Sequence, residues 1–286
     1  MKNIDIQRLN IFENEKIVLL TVPKIAHSWC INNFLGKGTD INSEFSINQY
    51  TFEITDVDYN DNQREDDYFK KINDIWSLIL DKKEKRDLVI LYRNPMEHFL
   101  SAFMQDYSNN FVPNSTNQQP YWEFFIDSLQ VPSVIRSQFL SDVTNTGKFD
   151  FDIILKYPDI SKQIMIVNLD YYLKQGVFET GHYRMWLSFI NKLITSDQID
   201  RNKIKFVDIY DAPLEFQLKN VMSFKTKSAY DFSGYTWSFN FLKNIIDNNV
   251  RYYETISSFL KYEFLYYNEI KLKYKKNHIF SQYINE

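Results

Sequence analysis

The chain has 286 residues and a formal net charge of −4, with 44% hydrophobic and 24% charged residues. This length and composition predict one globular domain with a large buried core. The negative net charge argues against a general nucleic-acid-binding protein, because contacts to many phosphates need an excess of Lys and Arg over one face.

The sequence also indicates the compartment. The single cysteine, Cys30, cannot form an internal disulfide. No apolar run reaches the length of a membrane span, and the charged start from Met1 to Asp5 lacks the apolar core of a signal peptide. We therefore expect a soluble cytoplasmic protein, of bacterial or viral origin, without a membrane partner.

Strand and helix patterns alternate along the chain. Short runs rich in Val and Ile predict strands at 17–22, 50–55, 88–92, 164–169 and 204–209. Helical periodicity is found at 28–36, 66–81, 95–107, 120–130 and 182–194, and throughout from about residue 239. This alternation predicts an α/β fold, with a central parallel sheet flanked by helices, in a single domain over 1–286 with a mainly helical C-terminal section. Ligands of such sheets bind beyond the carboxyl ends of the strands.

The first predicted strand leads into Pro23 and Lys24, and a helix is predicted to begin near Ser28. The first N–H groups of a helix have no partners within the helix, and that end carries a partial positive charge. Lys24 adds a full positive charge. The segment therefore predicts a site for phosphate or sulfate.

A second strand-to-helix junction follows the predicted strand at 88–92. Asn94 can cap the helix, Pro95 suits its first position and Glu97 lies in the first turn, where the helix dipole favours an acid. Ser101 comes about two turns after Arg93. A guanidinium and a hydroxyl at this spacing can hold a terminal phosphate between them.

The segment after the first strand resembles the 5′-phosphosulfate loop of sulfotransferases that use 3′-phosphoadenosine-5′-phosphosulfate (PAPS). Four residues match the family's Pro-Lys-x-Gly-x-Thr/Ser-x pattern: Pro23, Lys24, Ser28 and Trp29. Ala26 stands where the family usually has glycine, and His27 where it has a small residue. The resemblance implies that Ser28 and the N–H groups of Ala26, His27 and Trp29 cradle the 5′-phosphate. It also implies that Lys24 neutralises charge on the leaving phosphate.

The second junction resembles the family's Arg-x-Pro-x-x-x-x-x-Ser pattern, which binds the 3′-phosphate of the donor. Arg93, Pro95 and Ser101 match it at the family's spacing. The resemblance implies a P-loop-type nucleotide fold with PAPS as donor, 3′-phosphoadenosine 5′-phosphate (PAP) as product, and no metal. The Gly-x-x-x-x-Gly-Lys-Ser/Thr string of nucleoside triphosphate sites does not occur, so a nucleotide kinase is a more distant hypothesis.

Sulfuryl transfer to a hydroxyl also needs a base. The segment from Gly181 to Trp186 is similar to the His-Trp-x-Pro segment of carbohydrate sulfotransferases related to the chondroitin and dermatan enzymes, and only His182 carries over. His182 is the first candidate, although it also fits a capping or core histidine at a helix start. Acids near the end of the second predicted strand, where heparan-type enzymes carry a glutamate, are the alternatives: Glu53, Asp56 and Asp58.

These features predict a sulfotransferase that acts on a hydroxyl or amine of a carbohydrate or small-molecule acceptor. The alternative is a non-catalytic nucleotide- or glycan-binding protein that keeps the fold, in which Ala26 and His27 record lost catalysis. A basic stretch at 271–276 fits either a solvated helix face or a docking patch for an anionic acceptor. The sequence indicates neither the identity of the acceptor nor the oligomeric state.

Overall fold

The computed structural model describes part of the chain: residues 9–13, 17–22, 25, 30, 48–52, 87–109, 129–146, 151–175, 186–187, 190–191, 204–209 and 233–273. The chain divides into two compact units. The sheet unit comprises Met1–His98, Arg184–Ser228 and Leu260–Glu286. The helical unit comprises Phe99–Tyr183 and Ala229–Phe259.

The sheet unit contains a mixed sheet. Its strands are β1 (Leu9–Glu13), β2 (Ile17–Thr21), β3 (Asn48–Phe52), β4 (Asp87–Tyr92) and β5 (Ile204–Asp208). They lie in the order β3-β1-β2-β4-β5. β2, β4 and β5 are parallel, whereas β1 is antiparallel to both β2 and β3.

The predicted parallel sheet is therefore confirmed for three strands and wrong for the side formed by β1 and β3. Three residues, 14–16, separate β1 from β2. A parallel connection needs a crossover of a dozen or more residues, so this short link forces a hairpin. The parallel strands have the composition expected for burial on both faces, since Leu88 to Tyr92 are fully buried.

The predicted strand at 164–169 is wrong, because these residues lie inside a helix that spans Pro158–Gln175. Pro158 starts this helix and Asp159 lies in its first turn, as helix starts favour. The buried positions recur with a helical period: Ile160, Ser161, Ile164, Met165, Asn168 and Leu169. Their spacing of three and four outweighs the strand propensity of the short Ile- and Val-containing run within it.

Helices account for most of the described residues. They are α1 (Pro95–Asn109), α2 (Ser133–Thr146), α3 (Phe151–Lys156), α4 (Pro158–Gln175), α5 (Ser233–Asp247), α6 (Val250–Phe259) and α7 (Lys261–Lys273). The division between the units falls within α1, and α7 belongs to the sheet unit. Across the described ranges, no helix is both long and apolar enough to cross a membrane.

The structure confirms some of the predicted helices and corrects the end of another. The helix expected at 95–107 is confirmed by α1. In the range 182–194, the described residues Trp186, Leu187, Ile190 and Asn191 are helical. Cys30, which falls in the helix expected at 28–36, is also helical. The end of the helix expected at 120–130 is wrong, since residues 129 and 130 are not helical, and the range 66–81 lies outside the described residues.

Candidate functional site

The carboxyl ends of β2, β4 and β5 lie side by side at one edge of the sheet. Leu20 of β2 is opposite Ile90 of β4, and Tyr92 of β4 is opposite Asp208 of β5. β3 points the same way as β2, because both are antiparallel to β1. We call this side of the sheet the carboxyl edge. It is the edge at which ligands bind in parallel α/β sheets.

The chain turns sharply where it leaves β2 at this edge. The N–H of Ile25 donates to the carbonyl of Val22 at 3.1 Å, which closes a four-residue turn. The buried hydroxyl of Thr21 donates to the carbonyl of Ile25 and reinforces it.

Most of the predicted 5′-phosphosulfate loop lies outside the described residues: Pro23, Lys24, Ala26, His27, Ser28 and Trp29. Cys30, just beyond it, is buried. Burial raises the pKa of the Cys30 thiol well above its usual range, because a thiolate would lose its hydration there. The thiol is therefore a neutral core group.

Arg93 follows β4 directly and is buried, with 5% of its surface exposed. The predicted cap of α1 is confirmed next to it. The side-chain oxygen of Asn94 accepts the N–H of Met96 at 2.9 Å, and the Asn94 carbonyl accepts the N–H of His98 at 2.9 Å. These bonds satisfy N–H groups of the first turn and fix where the helix begins.

Ser101 is also buried and lies on α1. At a rise of 1.5 Å per residue, it stands about 9 Å along the helix axis from Pro95. Arg93 belongs to the sheet unit and Ser101 to the helical unit. His98 is buried as well, in the first turn of the same helix.

A second charged group stands at the carboxyl edge, and the sequence did not single it out. Asp208 ends β5 with 2% of its surface exposed. Its Oδ2 accepts a hydrogen bond from the Tyr267 hydroxyl at 3.1 Å and lies 3.1 Å from Nζ of Lys271. Tyr267 also packs against Tyr92, with ring centroids 5.7 Å apart. We call Asp208, Tyr267 and Lys271 the strand-end cluster.

The strand-end cluster joins α7 to the sheet by a matched pair of charges. Burial raises the pKa of Tyr267, and the charge of Asp208 adds to this effect against the opposing influence of Lys271. Burial lowers the pKa of Lys271, but its hydrogen bond with Tyr267 and the charge of Asp208 outweigh burial and leave the pKa above its usual value. Lys271, expected on a solvated face or a docking patch, therefore neutralises a buried carboxylate.

A third contact reaches β4 from the segment that contains Trp186. The indole N–H of Trp186 donates to the carbonyl of Leu91 at 2.7 Å. The N–H of the next residue, Leu187, donates to the buried carboxylate of Glu263 in α7 at 3.0 Å. All four residues of these two contacts belong to the sheet unit.

The candidate bases lie outside the described residues: Glu53, Asp56, Asp58 and His182. Glu53 directly follows Phe52, the last residue of β3, and His182 precedes Trp186 by four residues. In the part of the chain that the structure describes, no three or more His, Cys, Asp or Glu side chains gather as a metal ion would need.

Comparisons of the chain with protein-family models, curated proteins and solved structures give no match. Two features of the chain itself therefore indicate its function. One is the pair of strand-end motifs, and the other is the arrangement of β2, β4 and β5 at the carboxyl edge.

Proposed function

We propose that this protein is a sulfotransferase with a P-loop-type fold. It moves a sulfuryl group from PAPS to a hydroxyl or amine of a carbohydrate or small-molecule acceptor. The observation that supports this most directly is the parallel pairing of β2 with β4. Paired strands lie about 4.8 Å apart. The turn between Val22 and Ile25 and the residue Arg93 therefore begin at neighbouring strand ends, as one doubly phosphorylated nucleotide requires.

The reaction breaks the bond between sulfur and the 5′-phosphate oxygen and forms a bond between sulfur and the acceptor oxygen or nitrogen. The electron pair of the broken bond stays on the phosphate oxygen, which gives PAP, and the acceptor proton passes to a base. Positioning and charge stabilisation supply most of the catalysis in this kind of transfer. In the proposal Lys24 neutralises the leaving phosphate, while Arg93 holds the 3′-phosphate.

The charge balance at the carboxyl edge is compatible with a polyanionic donor. Asp208 places a negative charge beside the end of β4, and an unpaired carboxylate there would repel phosphate. Lys271 lies 3.1 Å from that carboxylate and balances it. The carboxylate of Asp208 therefore does not add an uncompensated negative charge beside the end of β4.

The contact of Trp186 with β4 supports His182 as the first candidate for the base. Trp186 lies against the Leu91 carbonyl, two residues before Arg93. Four residues of extended chain span at most about 14 Å, so His182 is at most that far along the chain from Trp186 and its contact with β4. The acids that follow β3 in the sequence stay the alternatives, because β3 ends at the same edge: Glu53, Asp56 and Asp58.

Two measurements test the proposal. The first is thermal unfolding with PAP, and with ATP as the competitor. PAP at a hundred times its Kd should stabilise the protein by about 2.7 kcal/mol. The second is transfer of labelled sulfate from PAPS to a panel of acceptors. Stronger stabilisation by ATP than by PAP would contradict the proposal, whereas PAP binding without transfer to any acceptor would favour the non-catalytic alternative.

A further inference from the structure

We propose that Trp186 is a positioning residue for Arg93, and that its indole fixes the end of β4 so that the guanidinium meets the 3′-phosphate of the donor. This inference rests on the proposed function. Trp186 is fully buried, with 0% of its surface exposed. Its Nε1 donates to the Leu91 carbonyl at 2.7 Å, a short bond for an N–H donor.

The direction of the Leu91 carbonyl explains why an indole is needed there. Carbonyls of successive residues in a strand point to opposite neighbours. The Tyr92 carbonyl points to the side of β5, where it accepts the N–H of Ile209 at 3.1 Å. The Leu91 carbonyl therefore points to the side of β2. The β2–β4 ladder has already ended there, at the pair Leu20 and Ile90.

A buried carbonyl beyond the end of a ladder is costly unless another donor reaches it. Trp186 supplies that donor from a segment 95 residues further along the chain. Both carbonyls that precede Arg93 are thus held, one by Trp186 and one by Ile209. Asn94 caps α1 on the other side. The backbone that carries Arg93 is consequently fixed from both directions.

The fixed backbone is important because a bidentate contact between the Arg93 guanidinium and a phosphate tolerates only a small range of distances and angles. A guanidinium binds phosphate best through two parallel N–H groups, and a misplacement of about 1 Å can cost up to a hundredfold in rate. Glu263 supports the same arrangement one residue further on, since it holds the N–H of Leu187. Loss of the indole donor should therefore weaken the part of donor binding that depends on the 3′-phosphate.

The test compares two ligands that differ by this phosphate. The Kd of PAP and of adenosine 5′-phosphate is measured by calorimetry for the wild type and Trp186→Phe. We expect PAP to bind about tenfold more weakly to the variant, the order of one charged hydrogen bond. Adenosine 5′-phosphate should change by less than about twofold, because its phosphate does not contact Arg93. Equal weakening of both ligands would indicate a merely structural role and would overturn the inference.

A matched control is the same substitution elsewhere. Trp237→Phe alters a half-buried tryptophan of α5 in the helical unit and should leave both affinities unchanged. If it weakened PAP as selectively as Trp186→Phe does, the effect would not belong to the Leu91 contact and the inference would fail.

Two further variants keep the test decisive. Replacement of Trp186 by 3-benzothienylalanine keeps the ring shape and removes only the N–H donor, so it serves if Trp186→Phe does not fold. The same selective loss of PAP affinity is expected. Combining Trp186→Phe with Arg93→Ala should cause no loss beyond that of Arg93→Ala alone, since both changes act on one contact. Additive losses would contradict the inference.

Measurements on the wild type distinguish failure of the proposed function from failure of the role proposed for Trp186. If the wild type binds PAP no better than adenosine 5′-phosphate, the proposed function fails. If it prefers PAP and both variants at position 186 keep the full preference, the proposed function stands and only the role of Trp186 is refuted.

Discussion

Removing Lys271 should destabilise the protein through the buried carboxylate that it pairs with. Lys271→Met keeps most of the aliphatic side chain and deletes the charge that lies 3.1 Å from Asp208. Asp208 then stays in a site of 2% exposure with the Tyr267 hydroxyl as a remaining neutral donor. An ionised carboxylate in such a site loses hydration without a matching countercharge.

The size of the effect follows from the exposure of the two partners. Breaking a fully buried ion pair costs about 3–5 kcal/mol, and exposed pairs contribute about 1 kcal/mol or less. Lys271 is 39% exposed, so solvent screens part of its attraction to Asp208. We expect a loss of about 2 kcal/mol, which for a chain of this length lowers Tm by about 3 °C.

Urea unfolding measures how much the pair of Lys271 and Asp208 contributes to the free energy of unfolding. Four proteins are compared: the wild type, Lys271→Met, Asp208→Asn and the double variant. The double variant should be more stable than Lys271→Met, because it no longer buries a carboxylate that has lost its lysine partner. Lys243→Met in α5 is the control. Its pair with Asp247 is exposed at both ends, so the change should cost about 0.5 kcal/mol or less. A loss for Lys271→Met no larger than that of the control would refute the reasoning, as would a double variant no more stable than Lys271→Met.

Three other predictions concern single contacts. Asn94→Ala should lower the free energy of unfolding by about 1 kcal/mol, because the Met96 N–H loses its cap, and Asn94→Asp should restore it; equal urea midpoints for the three proteins would contradict this. Burial, aided by the Asp170 carboxylate that its hydroxyl contacts at 2.7 Å, raises the pKa of Tyr252 to about 12. The ordinary pKa of tyrosine is about 10, so the folded state binds the Tyr252 proton more tightly than the unfolded state does. The free energy of unfolding should therefore keep this contribution below about pH 10 and lose it between about pH 10 and 12. Tyr252→Phe should remove this pH dependence. Arg93→Ala should abolish the preference for PAP over adenosine 5′-phosphate in calorimetry, and a variant that keeps the preference would exclude Arg93 from the site.

The junction between β4 and α1 shows what local sequence can predict. An apolar run long enough for one buried strand, a capping asparagine, a proline at the first helical position and an acid in the first turn all act over a few residues. Asn94 and Pro95 therefore occupy their predicted roles. The turn that follows β2 is local in the same sense, since Val22 and Ile25 close it.

Contacts between residues that are far apart in the sequence produce no local sequence pattern of this kind. Trp186 reaches Leu91 across 95 residues, and Glu263 reaches Leu187 across 76. Trp186, Leu187 and Glu263 each have the local sequence of an ordinary helix, and Leu91 that of an ordinary buried strand. Their importance at the carboxyl edge becomes visible only when the strand order is known.

The sequence pattern does not predict β1, for a different reason. β1 contains Asn10 and Glu13 beside the buried Ile11 and Phe12, so its apolar run is too short to stand out. Its pairing with both β2 and β3 stabilises it, and this pairing also makes that side of the sheet antiparallel. The strand expected at 164–169 failed in the opposite way, because a short β-prone run belongs to a longer helical period in α4.

The most direct test of the central claim is a crystal structure of the protein with bound PAP. The account predicts one nucleotide at the carboxyl edge. Its 5′-phosphate should lie at the turn between Val22 and Ile25, and its 3′-phosphate within hydrogen-bonding distance of the Arg93 guanidinium. Density for PAP at any other place, or with both phosphates away from the ends of β2 and β4, would contradict it.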